Sequence, residues 1–131
     1  MQNRTSTAAV CLLACFALSG AARAQTKATN LAGTWQIDFH DDNGVSHSSP
    51  KLVLTQTGDK LTGTFGLYSW PVIGAIDGNS VVFTFVAFGH EQGRQISDTV
   101  FYWGNIDPSG VKMKGRMKNP KEAGDWIATR Q

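Results

Sequence analysis

The side chains best suited to chemistry in this sequence are three histidines, His40, His47 and His90. Imidazole titrates near neutral pH and binds metal ions when neutral, so histidine is the usual acid–base residue and metal ligand. Charged residues stand close to them in the sequence: Asp41, Asp42, Glu91 and Arg94. The histidine spacings match no metal motif such as H-E-x-x-H, so we predict no metal site and no cofactor. Solvent-exposed loop histidines are the favoured interpretation, and His40, His90 and Glu91 are the candidates for catalysis.

Short β-strands must position these residues, because apolar and polar residues alternate from Gly33 onward. The alternation predicts eight strands, over residues 33–40, 51–57, 60–66, 71–77, 80–88, 98–106, 111–118 and 125–131. No stretch has a helical period with a helix start signal. Eight short strands without crossover segments predict an all-β, eight-stranded antiparallel up-and-down barrel, whose closure removes exposed sheet edges.

The connections between strands predict two different ends of the barrel. Tight turns around Gly58, Gly78 and Gly110 join strands 2–3, 4–5 and 6–7. Longer connections join the other strands, over residues 41–50, 67–70, 89–97 and 119–124. Alternate connections of an up-and-down barrel lie at opposite ends. All long loops, and with them the three histidines, are therefore expected at one end, which we call the mouth.

The inward-facing residues of the predicted strands are large and mostly apolar. An eight-stranded barrel is just wide enough to be filled by side chains or to hold one small ligand, and both interpretations stay open. Apolar walls with few polar groups are typical of small-molecule sites. The predicted ligand-binding residues near the mouth are Phe39, Phe85, Tyr102 and Met117, with Tyr68 and Trp70 from the loop between strands three and four.

One outward-facing surface of the predicted barrel is also apolar. It combines Phe101 and Trp103 of strand six with Val82 and Val86 of strand five. Contiguous exposed apolar surface rich in aromatic residues marks interaction sites. We therefore predict a homodimer, or a partner protein, on this surface. A register shift of one residue in strand six would instead turn Phe101 and Trp103 inward.

The first 24 residues have the pattern of a cleaved signal peptide. Arg4 supplies the positive charge, residues 8–18 are apolar, and Ala22-Arg23-Ala24 is an A-x-A cleavage site before Gln25. The apolar run is shorter than the roughly 20 residues that span a bilayer. We therefore expect a secreted or periplasmic protein without a transmembrane segment. The alternative is a lipoprotein modified at Cys15, because residues 12–15 resemble a lipobox.

The composition of residues 25–131 indicates one domain that depends on its own core. Both cysteines, Cys11 and Cys15, lie in the predicted signal, so no disulfide is expected. The length suits a single domain. Without Arg4 and Arg23, ten basic residues face ten acidic ones. Nucleic-acid binding depends on clustered excess positive charge, so we predict no nucleic-acid partner.

Short motifs at the two ends of the barrel resemble those of the calycins, the group of lipocalins, fatty-acid-binding proteins and avidins. Gly33-Thr34-Trp35 opens the first strand, and Trp126 and Arg130 lie on the last. In calycins a first-strand tryptophan packs near the closed end under a basic side chain of the last strand, and Trp35 and Arg130 match these positions. Residues 61–65 are also similar to an early strand of avidins. The resemblance implies a small secreted bacterial barrel that holds a small apolar ligand.

Three functions are open at this point. The first is a lipocalin-like binding protein for a small hydrophobic ligand at the mouth. The second is a barrel-type cyclase or isomerase that uses His40, His90 or Glu91 over an apolar cavity. The third is a periplasmic protein-interaction or inhibitor module. The sequence has no nucleophile elbow, phosphate loop or metal motif, which favours a binding protein over an enzyme.

Overall fold

Alternating apolar and polar residues fold into eight β-strands in the computed structural model, which describes residues 29–131. The strands are β1 (Gly33–Asp41), β2 (Lys51–Thr57), β3 (Lys60–Phe65), β4 (Trp70–Asp77), β5 (Ser80–Glu91), β6 (Arg94–Ile106), β7 (Lys112–Lys118) and β8 (Ala123–Arg130). Each strand pairs antiparallel with the next, and β8 pairs with β1 to close the barrel. The predicted all-β, eight-stranded antiparallel barrel is thus confirmed.

Several predictions concern the N-terminal segment, which lies outside the described residues. These are the signal peptide over residues 1–24, its cleavage before Gln25 and the alternative lipidation of Cys15. Within residues 29–131, no helix has the length and apolar character needed to span a membrane.

The register of β6 agrees with the predicted inward and outward faces. Tyr102 is 3% exposed, whereas its neighbours Phe101 and Trp103 are 48% and 44% exposed. Tyr102 pairs with Phe83 of β5 and with Met117 of β7, both of which are buried. The shifted register, which would bury Phe101 and Trp103, is therefore excluded.

The connection between β5 and β6 differs from the prediction. β5 continues to Glu91 and β6 begins at Arg94, so only Gln92 and Gly93 lie between the strands. Both have positive φ, 49° and 76°, as the two-residue turns that join twisted hairpin strands require. The prediction of a long loop over residues 89–97 was wrong. Most of these residues are exposed on both faces of the hairpin, so no alternation of apolar and polar residues marks them as strand.

The closed end of the barrel is sealed by Arg130, Trp35 and Leu31. The Arg130 Cζ lies 4.5 Å from the centroid of the Trp35 ring, the contact that the calycin resemblance implies. Leu31 is fully buried beside them. The Arg130 guanidinium also donates hydrogen bonds to three main-chain carbonyls, those of Asn30 (2.6 Å), Ala32 (2.7 Å) and Gly110 (3.2 Å). One side chain of the last strand therefore ties the start of the barrel to the turn between β6 and β7.

Replacing Arg130 should destabilise the whole barrel. We expect Arg130→Met to lower the free energy of unfolding by about 2–3 kcal/mol, because the carbonyls lose a charged donor and Trp35 loses a cation–π contact. Arg130→Lys should restore only part of the lost free energy of unfolding. Lysine keeps the positive charge but lacks the planar guanidinium group that donates to several carbonyls at once. Denaturant unfolding followed by tryptophan fluorescence measures both variants. An unchanged free energy of unfolding in Arg130→Met would contradict this role.

Gly104 and Gly115 pair across β6 and β7 and allow these strands to pack tightly. A Cβ atom on Gly115 would lie 1.9 Å from the carbonyl oxygen of Trp103, and one on Gly104 would lie 2.0 Å from that of Lys114. No side chain fits at such distances without moving the backbone. Glycine at these positions therefore permits the strong coiling that a small closed barrel needs.

Substitution at this glycine pair should cost far more than substitution at a strand glycine that has space around it. We expect Gly115→Ala to destabilise the barrel by about 2 kcal/mol or more, because the added methyl overpacks the strand contact. Gly89→Ala is the matched control, since the nearest heavy atom to its Cβ would lie 3.8 Å away. Thermal unfolding of both variants tests this. Equal losses would show that close strand approach is not the cause.

Candidate functional site

A cavity of about 250 Å³ with apolar walls and a polar rim opens at the mouth of the barrel. Its walls are inward-facing strand residues, namely Phe39, Phe65, Trp70, Phe85, Ala87, Val100, Tyr102 and Met117. Its rim comes from the loop between β1 and β2 (His47, Ser48, Pro50) and from the loop between β7 and β8 (Asn119, Glu122). Pockets for drug-sized ligands typically measure about 300–1,000 Å³. The cavity therefore suits a smaller molecule.

The structure brings together five of the six residues that the sequence analysis assigned to ligand binding. Phe39, Trp70, Phe85, Tyr102 and Met117 all line the cavity. The sixth, Tyr68, does not: it is 74% exposed, and its ring centroid lies 5.4 Å from that of Trp70. Strand alternation alone could not tell how deep each inward residue lies, so it did not assign Phe65 and Val100 to the same wall.

Stacked aromatic rings form one side of the cavity. The Phe65 and Phe85 rings lie 4.1 Å apart at an interplanar angle of 21°. Trp70 stacks on Phe85 at 5.8 Å and 11°. Offset stacking of this kind is favourable in itself, and every ring is held by its neighbours. The wall therefore exists before any ligand binds.

The Tyr102 hydroxyl is the polar group of this wall. None of the side-chain hydrogen bonds within residues 29–131 involves this hydroxyl, and the residue is only 3% exposed. Those residues contain no fully buried side-chain oxygen or nitrogen without a partner, so the hydroxyl is not completely enclosed, and the Tyr102 side chain lines the cavity. Burial, with a smaller effect of the Glu122 carboxylate, raises the pKa of the Tyr102 phenol well above its ordinary value. Tyr102 therefore presents a neutral hydrogen-bonding group to the cavity.

At the rim, the His47 ring lies between two carboxylates. Its Nε2 is 3.1 Å from Asp41 Oδ2 and 3.7 Å from Glu122 Oε2. One face of the imidazole rests near Phe39, with ring centroids 5.0 Å apart. Asp41 Oδ1 accepts hydrogen bonds from the Asn43 and Val45 amides, each at 2.9 Å. The Val45 amide and then His47 are the main causes that lower the pKa of the Asp41 carboxyl.

The other acid–base candidates lie away from the cavity. His40 follows the inward Phe39 and faces solvent, because successive residues of a strand point to opposite faces. His90 and Glu91 are exposed on the hairpin of β5 and β6, where Glu91 Oε2 is 3.5 Å from Lys121 Nζ. The histidine beside the cavity is His47. Its environment depends on the register of the β1–β8 pairing and on the paths of two loops, which local sequence patterns do not reveal.

Fold and cavity together define a class of protein: a closed eight-stranded antiparallel barrel with a small aromatic cavity at one end. Such a barrel is consistent with the calycin fold. No family model and no curated protein matches the chain.

Proposed function

We propose that this protein is a secreted or periplasmic, lipocalin-like binding protein that holds a small apolar molecule in the mouth cavity. The observation that carries the proposal is the preformed aromatic wall around open space of about 250 Å³. The small side chain of Ala87 faces this space, where a larger residue would have completed a packed core. The signal-peptide pattern of residues 1–24 supports export.

The chemistry of the cavity favours a flat, uncharged ligand with one polar group. Aromatic lining residues such as Trp70 and Phe85 suit a planar aromatic partner. The Tyr102 hydroxyl provides one hydrogen bond inside the apolar wall. Asp41 and Glu122 place two carboxylates at the rim. They disfavour an anionic ligand as long as no cation offsets their charge.

The enzyme hypothesis has one supporting observation, which is the position of His47 at the rim of the cavity. A general acid–base residue must reach the proton that it transfers. The Nε2 of His47 faces Asp41 and Glu122 instead of the apolar interior. The geometry therefore supports ligand binding better than cyclase or isomerase chemistry.

Filling the cavity should weaken ligand binding without unfolding the barrel. We expect Ala87→Phe to weaken binding of 2-naphthol, a flat uncharged probe, by about tenfold or more, because the new ring occupies the ligand's space. Thr55→Phe, at an exposed position of β2, is the matched control and should bind like the parent protein. Isothermal titration calorimetry measures the affinity of the parent protein and of both variants for 2-naphthol. A parent protein that does not bind the probe, or equal affinities in both variants, would contradict the proposal.

We also propose that two copies of the protein associate through the outer face of β5 and β6. Val82, Val86, Phe101 and Trp103 are 38–48% exposed on this face. Val82 and Trp103 are direct cross-strand partners, so the apolar side chains form one continuous surface. Continuous apolar surface of this kind is typical of interaction sites.

A charge on this face should separate the dimer. We expect the parent protein to sediment as a dimer in analytical ultracentrifugation and Trp103→Glu to sediment as a monomer, because a buried unpaired carboxylate is costly. Ile127→Glu is the control, since Ile127 is equally exposed, at 47%, but lies on β8. It should remain dimeric. A monomeric parent protein, or loss of the dimer in both variants, would contradict this interface.

A further inference from the structure

Three side chains capable of binding a metal ion converge at the rim of the mouth cavity. Asp41 ends β1, His47 lies in the loop between β1 and β2, and Glu122 lies in the loop between β7 and β8. One potential ligand atom from each lies within 4.8 Å of the other two. We propose that Asp41, His47 and Glu122 bind a divalent transition-metal ion of the Zn²⁺ type.

The distances between these atoms suit a small divalent ion. Zinc binds nitrogen and oxygen at about 2.0–2.2 Å in tetrahedral sites, which places neighbouring ligand atoms about 3.3–3.6 Å apart. His47 Nε2 lies 3.1 Å from Asp41 Oδ2 and 3.7 Å from Glu122 Oε2. Binding would lengthen the first of these distances and shorten the second by a few tenths of an ångström, and the two carboxylates, whose ligand atoms lie within 4.8 Å, would move closer together. The Glu122 side chain is 36% exposed.

The charges of the cluster also favour a cation. Two carboxylates and a neutral imidazole balance a divalent ion, and their mixed oxygen and nitrogen donors suit zinc-like metals. A single Nε2–H of His47 cannot donate well to Asp41 and Glu122 at once. An ion placed between the three side chains would contact all of them.

Hydrogen bonds outside the cluster hold two of the ligands in place. The second carboxylate oxygen of Asp41 accepts from the Asn43 and Val45 amides. The backbone amide of Glu122 donates to Asn119 Oδ1 at 2.9 Å, which fixes the loop. Such outer contacts orient the ligands of metal sites and strengthen binding.

A second observation places a ligand-binding position beside the cluster. Three protein ligands leave one position of a tetrahedral ion open, as in catalytic rather than structural zinc sites. His47 and Glu122 line the same cavity as Tyr102, whose side chain is more than nine-tenths buried. The Tyr102 side chain lines this space, and its hydroxyl has no hydrogen-bond partner in the described part of the chain. A water molecule bound to the metal, or an oxygen of a bound molecule, would fill the open position of the ion and form a hydrogen bond with the Tyr102 hydroxyl.

Titration of the purified, tag-free protein with ZnCl₂ tests the site by isothermal titration calorimetry. We expect one ion per chain, and a loss of affinity of about tenfold or more in both His47→Gln and Glu122→Gln. His40→Gln removes an exposed histidine of the adjacent strand and should bind Zn²⁺ like the parent protein. Circular dichroism should show that all three variants fold, because the substituted side chains lie at the surface. The titration needs no apolar ligand, so its outcome is independent of the binding function proposed above.

Two outcomes would overturn the proposal. The first is no Zn²⁺ binding by the parent protein at concentrations up to about 1 mM, which corresponds to only about 4 kcal/mol of binding free energy. The second is an equal loss of affinity in His47→Gln and His40→Gln, which would indicate non-specific binding to surface histidines.

Discussion

The pairing of β1 with β8 is the interaction on which the rest of the structure depends. It extends over seven residue pairs, from Trp35 opposite Arg130 to Asp41 opposite Gly124. Without it the chain would be an open sheet with two unprotected edges, which favour aggregation. With it, the first and last strands bring together residues that lie far apart in the sequence. Both ends of the barrel depend on this pairing of the first and last strands, which we call the seam.

The two ends of the seam serve different purposes. At the closed end it sets Arg130 over Trp35, where the guanidinium binds the carbonyls of Ala32 and Gly110. At the mouth it sets Glu122 beside the end of β1, close to His47. The closed end is filled with side chains and stabilises the fold. Open space remains at the mouth, where the proposed ligand would bind.

The fold was largely predictable, because burial imposes a period of two on every strand that faces the core. Tyr102 and its outward neighbours Phe101 and Trp103 show how well this signal works even where three aromatic residues follow one another. It failed for the hairpin around Gln92 and Gly93, where both faces meet solvent and no alternation is required. Leu31 was missed for a related reason, since it fills the closed end from outside any strand.

The candidate site was predictable only in part. The residues of its apolar wall follow from strand alternation and loop order, and most of those expected at the mouth lie there. The cluster of Asp41, His47 and Glu122 does not follow, because it depends on the register of the closing strands and on the path of two loops. Loop conformations carry no periodic signal. The position of Tyr68 was predicted wrongly for the same reason, since it lies in a loop and its side chain faces solvent.

The central claim is that the mouth cavity binds a small apolar molecule, and the two methionines of the barrel test it directly. Met117 lines the cavity, whereas Met113 is fully buried towards the closed end. Nuclear magnetic resonance of ¹³C-methyl-labelled methionine would record both methyl signals while 2-naphthol is added. The account predicts a saturable shift of the Met117 signal and an unchanged Met113 signal. An unchanged Met117 signal at saturating probe would contradict it.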